Sequence, residues 1–186
     1  RTHRDPMLIV RDIREVWLEV VEIFVGLEEL PGNRGFWHDR FAASLHVAKG
    51  LPYCQGFIEF TVQFASGIVG ISDWLKSDTA ASQKLWDYAV AGGFTRKHPQ
   101  RGFVSVWRNG KTPYGHVGAV RLFDEKGFDS TEANTSSPVD KWREGRWIMH
   151  KSHTLSRVGE ALQHGRWLRG FVDTDALILQ ALLEAR

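Results

Sequence analysis

The chain has one cysteine in 186 residues, Cys54. No internal disulfide can form, so the fold must rest on packing, and the thiol is left for burial or for chemistry. Long apolar runs are also missing. Residues 16–27 are interrupted by Glu19 and Glu22, too short and too charged to span a membrane. The opening RTHRDPMLIV has a basic start but only a brief apolar run before Arg11 and Asp12, which does not make a targeting segment. A soluble protein without membrane insertion is expected. Charge of one sign is scarce too: a formal net charge of +2 gives no ground for a nucleic-acid partner. The local excess of basic residues in 141–169 reads first as a solvated face. No internal repeat, low-complexity tract, phosphate-cradling glycine loop, metal-ligand spacing or calcium-loop pattern occurs, so neither metal nor cofactor is expected.

The length suits one well-buried core and is short for two. A single domain over 1–186 is expected, with an N-terminal helix to about residue 25, a core over 26–172 and a C-terminal helix over 173–186. Asp5-Pro6 is a helix start, a capping carboxylate before a ring preset at helical φ. Ile9, Ile13, Val16, Trp17, Val20, Val21 and Phe24 follow at helical spacing. Further helices are expected over 36–48, 53–66 and 81–91, the last closed by Gly92-Gly93. Beyond that glycine pair the pattern turns extended. Strands are expected over 103–107, 115–123, 128–134, 146–150 and 166–172, before the closing helix. Helices first and strands afterwards argue an α+β fold, with N-terminal helices packed on an antiparallel sheet of five or six strands.

Cys54 falls after Pro52-Tyr53 at the start of an apolar helix, where unpaired backbone N–H groups and the helix dipole favour thiolate over thiol. Burial as a small core residue is the plainer alternative. A cysteine nucleophile needs a base. His116, in Gly115-His116-Val117-Gly118, is the most suggestive histidine, its flanking glycines leaving room for a substrate to approach; His150 and His153 compete. Period-two alternation over 130–135 puts Glu132 and Asn134 on one face, either able to orient an imidazole. Trp107, Trp142, Trp147 and Trp167 are assigned to packing, although aromatics can also stack on sugar rings.

The ordered set Gly50-Leu51-Pro52-Tyr53-Cys54 before an aromatic helix, Gly115-His116-Val117-Gly118 on a strand and Glu132-Ala133-Asn134-Thr135 on the next resembles the CHAP family of cysteine amidases and endopeptidases. The segment 28–35, Glu-Glu-Leu-Pro-Gly-Asn-Arg-Gly, is similar to one that often precedes the cysteine in phage-type members. The resemblance spans residues 26–172. It implies a papain-like fold within the NlpC/P60-like superfamily, acting on bacterial peptidoglycan at the cell wall. The implied site is Cys54 as nucleophile, His116 as base, and Glu132 and Asn134 as orienting groups. Of those two, Glu132 is the expected direct partner, since only it carries a charge that stabilises an imidazolium. The alternative is a catalytically silent structural or wall-binding module, such as a virion component. The oligomeric state and the bond cleaved are not legible in the sequence.

Overall fold

The computed structural model describes residues 5–75, 81–136 and 145–185. The fold is α+β. Four helices come first: α1 (Pro6–Glu22), α2 (Phe36–Ser44), α3 (Cys54–Val69) and α4 (Ser82–Ala91). Six strands follow, β1 (Thr95–Arg96), β2 (Val104–Asn109), β3 (Gly115–Phe123), β4 (Gly127–Thr135), β5 (Trp147–Thr154) and β6 (Arg166–Val172), and α5 (Thr174–Glu184) closes the chain. The strands form one antiparallel sheet in the order β1-β6-β2-β3-β4-β5. Each expected helix and strand is present with small shifts at its ends. The two-residue β1 has too little pattern to be seen in sequence.

The sheet separates two cores. Val104, Val106, Val117, Ala119, Ala133, Ile148 and Val172 face the helices and pack with Val10, Ile13 and Trp17 of α1, Phe57, Ile58 and Val62 of α3, and Leu177 and Ile178 of α5. On the opposite face a smaller group, Phe103, Val120, Phe128, Leu168 and Phe171, is covered by Leu155 and Val158 of the loop after β5. Each fully buried large apolar side chain contributes about 1.5–3 kcal/mol, so the helix face supplies most of the burial that holds the sheet. The start of α1 is fixed as its sequence suggests, with the Asp5 carboxylate accepting the Met7 N–H at 2.9 Å and Pro6 in the first turn. Inside the helix layer, Trp17 Nε1 donates to Thr61 Oγ1 at 3.0 Å, which sets α1 against α3.

Of the tryptophans assigned to packing, Trp107 lies against the smaller core, and Trp167 is half-buried with Nε1 donating to Gly110 O at 3.0 Å. Trp147 is half-buried and bridges Glu28, while Trp142 lies outside the described residues. Among the described residues, several basic side chains of the later segment have partners as well. Arg146 meets Glu28 at 3.2 Å, and Arg169 donates to Gln83 Oε1 at 2.8 Å.

Two glycines of α3 make the packing argument testable. A Cβ at Gly56 would stand 2.4 Å from the Phe41 carbonyl oxygen and 2.9 Å from its carbon, so α2 packs directly on the backbone of α3 and has no side chain to move aside. At Gly67, exposed on the same helix, a Cβ would meet nothing within 4 Å. Alanine is favoured over glycine in a helix interior by roughly 0.5–1 kcal/mol, whereas forced overpacking costs about 1–3 kcal/mol. Gly67→Ala is therefore expected to raise the unfolding free energy and Gly56→Ala to lower it. Denaturant titration of the two variants checks the opposite signs.

Candidate active site

Cys54 is the first residue of α3, and no side chain of the preceding residues caps that helix. The amides of its first turn lack intrahelical partners by construction. A Ser or Asp cap would claim one of them; Tyr53 claims none. The Gln55 N–H donates to Cys54 Sγ, and so does the Val117 N–H of β3. The second donor is available because of a break in the sheet. The β3–β4 ladder runs from Phe123–Phe128 to Ala119–Thr131 and registers no pair beyond, so the β3 segment that carries His116 and Val117 turns to α3 instead of to β4.

Strand alternation places His116, Gly118 and Val120 of β3 with Phe128, Ser130 and Glu132 of β4, on the face away from Val117 and Ala133. His116 Nε2 meets Glu132 Oε2 at 2.8 Å, with both side chains almost fully buried. Since Glu132 takes Nε2, Nδ1 is left for Cys54, whose thiol hydrogen-bonds the same ring. The other carboxylate oxygen is also occupied. Ser130 Oγ donates to Glu132 Oε1 at 2.7 Å, and His153 Nε2 lies 2.5 Å from that oxygen.

Burial pushes the Cys54 thiol up, but the hydrogen bond and charge of His116 and the two backbone donors outweigh it, so the thiol lies below its ordinary value. Burial pushes His116 down, and the Glu132 charge together with the thiol overrides it, raising the imidazole to about 9. Glu132 is held far below the usual carboxylate range. Its desolvation acts in the opposite sense and is overcome by the charge and hydrogen bond of His116, with His153 adding to them. These opposed shifts favour a thiolate at Cys54 and an imidazolium at His116, beside an ionised Glu132.

Cys54, His116 and Glu132 thus meet in one hydrogen-bonded series, with Glu132 touching the imidazole. Asn134 takes a different place from the one alternation predicts. Glu132 pairs with Met149 and Thr135 with Trp147, so three residues of β4 span two of β5. This is a bulge, with Asn134 in it at a φ of 57°. Thr135 takes the next position on the face of Glu132, and the Asn134 backbone reaches the phenol of buried Tyr53.

The two glycines beside His116 also act differently from expectation. A Cβ at Gly118 would lie 2.7 Å from Glu132 Cγ, and one at Gly115 would lie 2.1 Å from Trp107 O and 2.4 Å from Gln83 Nε2. The space they leave is filled from within, by the Glu132 side chain in one case and by the α4 contact in the other. Of the competing histidines, His150 is tied to Glu22 Oε2 at 2.8 Å on the helix side. His153 belongs to the site through Glu132. Sequence could not show this, since the β4–β5 register depends on a long connection between the strands.

Among the described residues no group of three or more His, Cys, Asp or Glu is arranged to hold a metal ion, and no helix is long and apolar enough to cross a membrane. Comparison with known protein families, with curated proteins and with solved structures found no match.

The electrostatics give a substrate-independent prediction. In the intact protein the His116 imidazole should titrate near 9. In Glu132→Gln the carboxylate charge is gone while burial and the Cys54 contact remain, so the imidazole should titrate well below its value in the intact protein. Imidazole carbon resonances followed by NMR against pH measure both.

Proposed function

We propose that the chain is a cysteine amidase or endopeptidase of the CHAP type, cleaving an amide bond of bacterial peptidoglycan. The observation that carries the reading is the hydrogen-bonded series Cys54–His116–Glu132 at an uncapped helix N-terminus. It occurs in the chain order that the CHAP resemblance implies, on an α+β fold with helices on an antiparallel sheet.

The chemistry follows from the geometry. Cys54 Sγ, already a thiolate beside the imidazolium, attacks the carbonyl carbon of the scissile amide, and the carbonyl π pair moves onto oxygen. The Cys54 N–H, at the α3 N-terminus, is the natural donor to that oxyanion. As the tetrahedral intermediate collapses, the C–N bond breaks and His116 Nδ1–H passes its proton to the leaving amine. His116, now neutral, then takes a proton from water as the water attacks the thioester. That proton restores the imidazolium, and collapse then breaks the C–S bond, expels the thiolate and releases the carboxylic acid. Throughout, Glu132 Oε2 holds Nε2–H and fixes the ring so that Nδ1 faces the thiol.

Acting on wall fragments, the protein reaches its substrate by phage lysis, virion delivery or secretion. The sugar–peptide bond, the stem peptide and the cross-bridge are all amides, and mass analysis of purified peptidoglycan after digestion distinguishes them. New amine and carboxyl termini that vanish in Cys54→Ala and His116→Ala are the expected result. Intact wall polymer, or fragments that persist in Cys54→Ala, overturns the reading; binding without cleavage would instead favour a silent wall-binding module. Cys54 is only 6% exposed, so Cys54→Ala also removes some packing, about 1 kcal/mol, which a thermal melt separates from loss of chemistry. His150→Ala should retain activity, since its ring bonds Glu22. Asn134→Ala should lose less rate than Glu132→Gln, and only the latter should lower the upper limb of the pH–rate profile.

A further inference from the structure

His153 has no part in the chemistry above, yet its ring is built into the site from the opposite side. It stands on β5 in register with Phe128. Its ring centroid lies 4.7 Å from that of Trp107 and 5.0 Å from that of Phe128. Its Nε2 meets Glu132 Oε1 at 2.5 Å, and its side chain, 21% exposed, borders a cavity of about 370 Å³. Leu122, Phe123, Lys126, Asp124 and Asp129 also line this cavity. An aromatic niche of this kind would accept Phe as readily as His. What only the imidazole adds is an in-plane N–H aimed at the carboxylate.

Glu132 needs such a donor. The last torsion of a glutamate is broad and roughly two-fold, so a carboxylate held at one oxygen can turn and carry the other out of line with His116. Ser130 alone gives Oε1 one donor through a hydroxyl that itself rotates. A second donor on the same oxygen, from a ring packed against both Trp107 and Phe128, removes that freedom.

We propose that His153 is a positioning residue of the Cys54 site, holding Glu132 through Oε1 so that Oε2 stays on His116 and the imidazolium stays paired with the thiolate. The assignment rests on the cysteine-hydrolase reading, but its test does not need the wall substrate. Because Cys54 is the sole cysteine, alkylation of the full chain by iodoacetamide reports on that thiolate alone, and its rate against pH gives the thiolate's acidity.

The comparison uses the unaltered chain, His153→Phe, which keeps the ring packing without the donor, and His153→Gln, whose amide nitrogen falls near the position of Nε2. His153→Asn, whose amide stops short of Oε1, repeats the loss with a polar side chain should the phenylalanine variant fold poorly. Losing one charge-assisted hydrogen bond corresponds to roughly a tenfold effect. His153→Phe and His153→Asn should therefore alkylate about tenfold more slowly at neutral pH, with the inflection moved up toward the ordinary thiol range. His153→Gln should recover most of the rate. Profiles of Phe and Asn variants that superimpose on the unaltered chain overturn the assignment, and so does a Gln variant as slow as they are. An unaltered chain that alkylates only at alkaline pH overturns both this assignment and the cysteine-hydrolase reading, whereas a neutral-pH thiolate unmoved by any of the three variants overturns this one alone.

Discussion

The rest of the site depends on one buried charge, the Glu132 carboxylate, which is 1% exposed. An ionised carboxylate out of water costs several kcal/mol unless its oxygens are met by donors and opposite charge. Here three side chains from three strands meet it: His116 on Oε2, and Ser130 and His153 on Oε1. The same contacts that make burial tolerable also shift the acidity of His116 and Cys54. The anion that needs a cation raises His116, and the raised His116 lowers the Cys54 thiol.

That arrangement requires a sheet that is closed in one place and open in another. From Phe123–Phe128 to Ala119–Thr131 the β3–β4 ladder pairs, with one register shift between Val120 and Leu122, and it carries Ser130 and Glu132 to the face of His116. Beyond Ala119 the pairing ends, and the α3 N-terminus meets the end of β3. The thiol therefore comes from the helix layer while the carboxylate and both histidines come from the other face, and the two sets join only at the end of β3. Gly118 belongs to the same device, since any Cβ there would strike Glu132 Cγ at 2.7 Å. The α4 contact steadies the approach to His116: Gln83 Nε2 donates to Trp107 O at 2.9 Å, beside Gly115.

Much of this was legible in local pattern. Helical periodicity from Ile9 to Phe24, the Gly92-Gly93 stop and the alternation through 115–123 report short-range backbone preference, and the elements fall where they predict. Cys54, His116 and Glu132 could be chosen because residue type and chain order carry their chemistry. Asn134 could not be placed, because a bulge shows only against a partner strand; the two-to-three mismatch with Met149 and Trp147 has no local signature. His153 was visible as a histidine but not as a neighbour of Glu132, since it enters through a register set by a long connection. Glycine roles are ambiguous for the same reason. A missing side chain can make room for a ligand or for a neighbour, and only the fold shows that Glu132 fills the room at Gly118.

The weighing of a catalytic against a purely structural role turns on the same carboxylate. Replacing a buried ion pair with well-packed apolar residues is often neutral or stabilising by about 1–4 kcal/mol, so a module kept only for its shape gains nothing from Glu132, His116 and His153 beside a largely apolar layer. Nor does shape alone ask the Gln55 N–H of α3 and the Val117 N–H of β3 to turn toward one sulfur. Each feature gives up some stability, and each becomes useful once a thiolate must be held ionised and aimed, with His116 returned to the imidazolium after every turnover. Stability lost at several neighbouring points toward one chemical end is the pattern expected of an active site, and it weighs against the silent alternative more heavily than the presence of any one of these residues.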